Sequence, residues 1–111
     1  MPECVFCKIV RGEIPTHFTY ENEFVAAFSD IKPVAPGHLL VVPKAHHQWF
    51  YEVPKELAGE WFSAAQFLGL KLKEETGADY IQVSIVGKDV PHAHIHLIPR
   101  TLSDGAVLQR L

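Results

Sequence analysis

Residues 90–100 read VPHAHIHLIPR, and this run limits what the chain can build. His92, His94 and His96 alternate with Ala93, Ile95 and Leu97. On a strand, successive side chains point to opposite faces. The run therefore predicts a strand over 93–98, ended by Pro99. Its apolar row packs beneath a helix, and its imidazole row faces a cleft or solvent. Neighbours in such a row stand about 6.5–7 Å apart at Cα. That lets two imidazoles act on one ligand but makes no ready three-ligand metal cage. Imidazole is neutral for much of the time near pH 7, so it can be a nucleophile, a proton carrier or a metal ligand. A nucleophilic imidazole needs its second nitrogen fixed by an acceptor, and a strand offers carbonyls for that.

The rest of the chain supplies a sheet and one long helix. From Pro54 onward, Leu57, Trp61, Ala64, Ala65, Leu68 and Leu72 recur at spacings of three and four, which predicts a helix to Thr76 capped by Gly77. Phe62 and Phe67 widen its apolar arc, so it is expected to be buried twice, against its own sheet and against a partner. Residues 4–12 predict a short apolar helix or turn. Short strands are expected at 18–20, 24–29, 38–42 (stopped by Pro43) and 80–86. The expected fold is α+β: an antiparallel sheet of about five strands packed with one long helix and a short N-terminal helix. With 111 residues, 1–111 is expected to be a single domain.

Charge and composition narrow the function. The net charge is -3 and the ten Lys and Arg are scattered, which argues against nucleic acid as the partner. No apolar run approaches the ~18 residues of a membrane span. The N-terminal MPECVFCKIVRGEIP is charged where a signal peptide would be apolar, so a cytoplasmic location is expected. Cys4 and Cys7 are too few for a disulfide scaffold and suit a reducing compartment. Their C-x-x-C spacing is half of a tetrahedral zinc site. Read alone, it is open to a redox or an incidental reading as well, although no βαβ context for a thioredoxin-type pair is evident.

The segments HAHIHLI, CVFCKIVRGEIP, FVAAFSDIKPVAPGHLLVVPKAHH and PHAHIHLIPR together resemble the histidine triad (HIT) superfamily, in order and at sensible separations, from Cys4 to Arg100. The resemblance implies a nucleotide hydrolase or nucleotidyl transferase. It would cleave nucleoside phosphoramidates or related conjugates at the α-phosphate through a nucleotidyl-histidine. His94 matches the nucleophile, His96 lies by the phosphate oxygens, and His38 matches a fourth histidine of the cluster. Asp30 matches the residue that binds the ribose hydroxyls; a carboxylate accepts from both hydroxyls of a cis-diol. Phe6, Ile9, Phe28, Ile31 and Leu40 fall where relatives line the base pocket. Cys4, Cys7, His46 and His92 match a structural zinc set, with His47 as the alternative to His46. The implied partners are a purine nucleotide such as AMP or an AMP conjugate, and a second copy of the chain in a homodimer.

Before the triad the resemblance weakens. Many relatives have Gln and then Ser or Thr where this chain has Lys88 and Asp89, positions that contact the phosphate and help the leaving group. Ser84 stands where an asparagine is usual, and Pro91 removes a backbone donor. A carboxylate beside a phosphate repels it. These departures leave the nucleophile in place but put leaving-group preference and rate in question. A nucleotide-binding module with slow turnover, acting as sensor or scaffold, is the alternative reading; a zinc-centred structural protein is a third.

Overall fold

The computed structural model describes residues 4–103. The tail from 104, which carried no sequence signal, lies outside them. The elements run α1 (Val5–Val10), β1 (Tyr20–Glu21), β2 (Val25–Ser29), β3 (Leu39–Pro43), a 3-10 turn (Phe50–Glu52), α2 (Lys55–Thr76), β4 (Tyr80–Ile85) and β5 (Ile95–Arg100). The five strands form one sheet in the order β1-β2-β3-β5-β4, with every pairing antiparallel. The expected fold class is observed.

The sheet is covered on both faces, which explains why VAAFS and LLVVP are continuous apolar runs rather than alternating ones. Val25, Ala27, Leu39, Val41, Ile95 and Leu97 face α2, where they meet Trp61, Ala64, Leu68 and Leu72. Ala26, Phe28, Leu40 and Val42 face α1, where they meet Phe6, Cys7 and Ile9. Trp61 is fully buried, and its indole N–H donates to the Val41 carbonyl at 2.8 Å. Helix α2 ends where sequence placed its end: Gly77 caps it with φ +71°, a left-handed backbone that glycine adopts without a Cβ clash.

Strand bounds shift by one or two residues from expectation, and at two strand ends the shift places a proline inside the strand. Pro43 and Pro99 lie inside β3 and β5 rather than after them. The β3–β5 ladder covers only Leu39 to Val41 against Leu97 to Ile95. Both prolines sit beyond it, each paired on its other side only: Pro43 with Val25, Pro99 with Ile81. Strand positions open on one side tolerate a missing N–H. The same short ladder makes β5 begin at Ile95, so Ala93 and His94, expected in the strand, lie in its lead-in, and His92 lies in the bend before it. The alternation survives there, because Ala93 is fully buried and belongs to the α2-facing core.

Candidate active site and metal centre

The imidazole row emerges on the α1 side of the sheet, where His92 and His94 are fixed by backbone carbonyls and His96 by the His38 ring. His92 Nε2 lies 2.7 Å from the Pro43 carbonyl. That oxygen can only accept, so Nε2 carries the proton and Nδ1 presents its lone pair. Nδ1 lies 3.5 Å from the Sγ atoms of both Cys4 and Cys7. His46 Nδ1 lies 3.1 Å from Cys7 Sγ. One donor atom from each of Cys4, Cys7, His46 and His92 falls within 4.8 Å of all the others. A tetrahedral zinc with two thiolates and two imidazoles has S–N edges of about 3.6 Å, so these four residues fit that ion. Sequence left His46 and His47 open. His46 joins the cluster, whereas His47 contributes its carbonyl to the Ala93 N–H at 2.7 Å.

His94 is oriented the other way round. Its Nδ1 lies 2.7 Å from the His92 carbonyl, so Nδ1 is the donor and Nε2 keeps its lone pair. Phe6 packs edge-on against this ring with centroids 5.1 Å apart. A third chain of bonds sets His96. The Val34 N–H donates to His38 Nδ1 at 3.0 Å, which puts the His38 proton on Nε2. That proton is donated to His96 Nδ1 at 2.9 Å, leaving His96 with its own proton on Nε2. Asp30 stands beside this relay, its Oδ2 3.6 Å from His38 Nε2. Its Oδ1 accepts the Lys32 N–H at 2.9 Å, so the residue also serves the turn before Pro33. Asp30, His38 and His96 likewise bring donor atoms within 4.8 Å. Here, however, the His38–His96 hydrogen bond already occupies the facing nitrogens.

Burial holds these rings neutral. It pushes His92 and His96 down to about 4, with the neighbouring imidazoles adding to the effect. His94 is also lowered by burial, against the opposing pull of its bond to the His92 carbonyl and of Asp30 and Asp89. His38 is lowered by burial against Asp30. The consequence for stability has a definite sign. An unfolded histidine binds its proton near 6.5, whereas native His96 does so only near 4. Between those values the unfolded chain holds more protons, so stability is full above about pH 6.5 and falls as pH drops toward 4. After discounting for the part-exposed ring, His96 should account for about 2 kcal/mol of this loss. Urea midpoints at pH 7.5 and 4.5 should therefore differ less in His96→Asn than in the wild type.

The substrate-binding residues expected from sequence line one cavity of about 750 Å3, which also holds His38, His94 and His96. Phe6, Ile9, Phe28 and Leu40 form its apolar floor, Asp30 and Ile31 stand on one wall, and Lys88 and Asp89 belong to the β4–β5 connection. The volume suits a drug-sized ligand. Ile31, apolar enough to read as core, is 92% exposed and forms part of the rim. Sequence reasoning missed Ile14, Val86 and Val90 in this lining. It also missed the structural contributions of the Pro43 carbonyl and the Val34 N–H, which are backbone groups and leave no trace in residue identity. Ser84 pairs with His96 across β4 and β5 and accepts from Gln82 Nε2 at 3.2 Å.

A paired-imidazole cavity beside a Cys2His2 cluster on a five-stranded sheet defines the class. The chain belongs to the HIT domain family, whose model matches residues 11–102. It is 36% identical over 99 residues to the adenosine 5'-monophosphoramidase HNT1 of Saccharomyces cerevisiae, covering 87% of this chain and 62% of that one. Against the adenylylsulfatase HINT3 of Arabidopsis thaliana it is 33% identical over 107 residues, covering 92% and 54%. A HIT family protein from Bacillus subtilis superposes with a TM-score of 0.87 at 36% identity, covering 99% of this chain and 84% of that one. A zinc-bound histidine triad family protein from Mycobacterium smegmatis does so with a TM-score of 0.85 at 32% identity, covering 97% and 82%.

Proposed function

We propose that this protein hydrolyses AMP conjugates at the α-phosphate through a covalent nucleotidyl-His94. The observation that carries the reading is the His94 geometry: Nδ1 is tied to the His92 carbonyl at 2.7 Å and the ring lines the cavity with Nε2 unprotonated. The ribose hydroxyls donate to Asp30, and the base rests on Phe6, Ile9, Phe28, Ile31 and Leu40. His94 Nε2 attacks phosphorus, a P–N bond forms, and the bond to the leaving group breaks with its electron pair on that group. A departing amine takes up a solvent proton. His96 donates its Nε2–H to a phosphate oxygen and keeps that proton, because its Nδ1 is already filled by His38. Water then attacks phosphorus, the pair returns to Nε2, and a proton is released to solvent, giving AMP. The named activities of the yeast and plant relatives support this substrate class. The test is AMP release from adenosine 5'-phosphoramidate by purified protein; absence of turnover with retained AMP binding would favour the slow binding module instead.

A structural zinc held by Cys4, Cys7, His46 and His92 completes the reading. With all four residues as ligands, the ion would supply cross-linking rather than Lewis-acid chemistry. It would tie α1 to the segment after β3 and to the lead-in of β5. Reduced thiolates of this kind fit a cytoplasmic location. Purified protein should carry about one zinc per chain, and chelation should lower Tm by about 10 °C or more. Metal-free protein with an unchanged melt on chelation would contradict the assignment.

A homodimer is the expected assembly. Phe62, Phe67 and Leu70 on α2 and Val83 on the edge strand β4 are 42%, 56%, 60% and 53% exposed. Exposed apolar side chains of this kind are what a second copy would cover. Light scattering at micromolar concentration should give twice the chain mass; a monomer mass would refute the dimer.

A further inference from the structure

We propose that Asp89 sets the leaving-group specificity of this site, selecting adenylate conjugates that release an amine over those that release an anion such as sulfate. The inference rests on the transfer to His94 argued above. Its first support is position. Ser29 pairs with Leu39 and Leu39 with Leu97, so Asp30, which follows Ser29, lies toward the far end of β5. Asp89 lies in the connection that precedes β5. The two carboxylates thus stand at opposite ends of the His94–His96 pair, and both line the cavity. A nucleoside bound at Asp30 with its phosphorus over His94 directs the remaining substituent to the end that Asp89 occupies.

The connection is pinned on both sides of Asp89. Gly87 has φ +86°, and a Cβ there would lie 2.5 Å from the Gln48 carbonyl oxygen, so no other residue fits without a shift. The Gln48 side chain donates to the Gly87 carbonyl at 3.4 Å. On the other side the His92 N–H donates to the Val90 carbonyl at 2.7 Å, and Val90 packs against the α1-facing core. Asp89 carries its charge on a short side chain between these anchors. Lys88 lines the same cavity, but its ammonium rides on a flexible four-carbon stem and can turn to solvent.

The chemistry then separates two classes of substrate. When a P–O bond to sulfate breaks, the electron pair leaves on oxygen and negative charge grows beside the Asp89 carboxylate, which repels it. When a P–N bond breaks, the pair stays on nitrogen, one solvent proton makes it a neutral amine, and that amine donates N–H to Asp89 without growing a negative charge beside it. One solvent-screened carboxylate beside the leaving group is expected to change the relative rate by about tenfold.

The experiment measures kcat/KM for adenosine 5'-phosphoramidate and adenosine 5'-phosphosulfate with the wild type, Asp89→Asn and Lys88→Gln. Both substrates share adenosine and phosphate, so any loss of folded protein cancels in the ratio. Wild type should favour the phosphoramidate. Asp89→Asn should shift the ratio about tenfold toward the sulfate, and Lys88→Gln should shift it less. High salt should narrow the wild-type preference. An unchanged ratio in Asp89→Asn, or a larger shift in Lys88→Gln, overturns the assignment while leaving hydrolysis through His94 intact. A wild type that turns over neither substrate overturns the underlying reaction and this inference with it.

Discussion

His94→Ala is expected to lower AMP release from adenosine 5'-phosphoramidate by roughly a thousandfold or more. The size follows from the geometry: among the triad rings, His94 combines a backbone-fixed Nδ1, a free Nε2 and a place on the cavity. His96 presents an N–H there instead, because the relay from Val34 through His38 fills its other nitrogen. His96→Ala should therefore leave a larger residual rate than His94→Ala. AMP binding should persist in His94→Ala, since Asp30 and the apolar floor are untouched. Single-turnover rates with parallel calorimetric titration of AMP separate the two effects. A His94→Ala protein that retains more than about a tenth of wild-type kcat would remove His94 from the reaction.

Trp61→Ala should be the most damaging core substitution. The side chain is fully buried among Val41, Leu68 and Ile95 neighbours of the α2-facing core. Deleting such an aromatic costs about 3–5 kcal/mol in transfer and cavity terms. The Val41 carbonyl also loses the indole donor 2.8 Å away. In a domain of this size the sum corresponds to a fall in Tm of about 15 °C or more. Trp61→Phe keeps most of the volume and loses the donor, so it should fall in between, at about 1–3 kcal/mol. Thermal and urea unfolding of the three proteins checks the order. Equal losses for Phe and Ala would mean that the hydrogen bond rather than the packing dominates.

The helix and the imidazole row were legible because each rests on a period that local geometry enforces. Trp61, Leu68 and Leu72 recur as a buried stripe wherever a helix lies on a sheet, and Ala93, Ile95 and Leu97 recur likewise along an extended chain. Strand ends were less legible. Pro43 and Pro99 read as terminators, and only the short β3–β5 ladder makes them tolerable inside strands. The placement of β5 between β3 and β4 was also hidden, since it depends on contacts distant in sequence. Within the site, residue types suggested which rings meet, but their tautomers are set by the Pro43 and His92 carbonyls and the Val34 amide. Those are properties of the fold rather than of any residue name. Ile31, which only the family resemblance assigns to the base pocket, lines the cavity as an exposed rim residue.

The central claim is that phosphorus passes through His94 Nε2. It is tested most directly by stopping the wild-type reaction with adenosine 5'-phosphoramidate in alkali, which spares P–N bonds, and mapping the intact adduct by mass spectrometry. A gain of one adenylyl group on the peptide holding residues 92–98, localised to His94 and absent from His94→Ala, is the predicted result. An adenylyl group on His96 or elsewhere, or no adduct at any time point in a protein that is turning over, would contradict it.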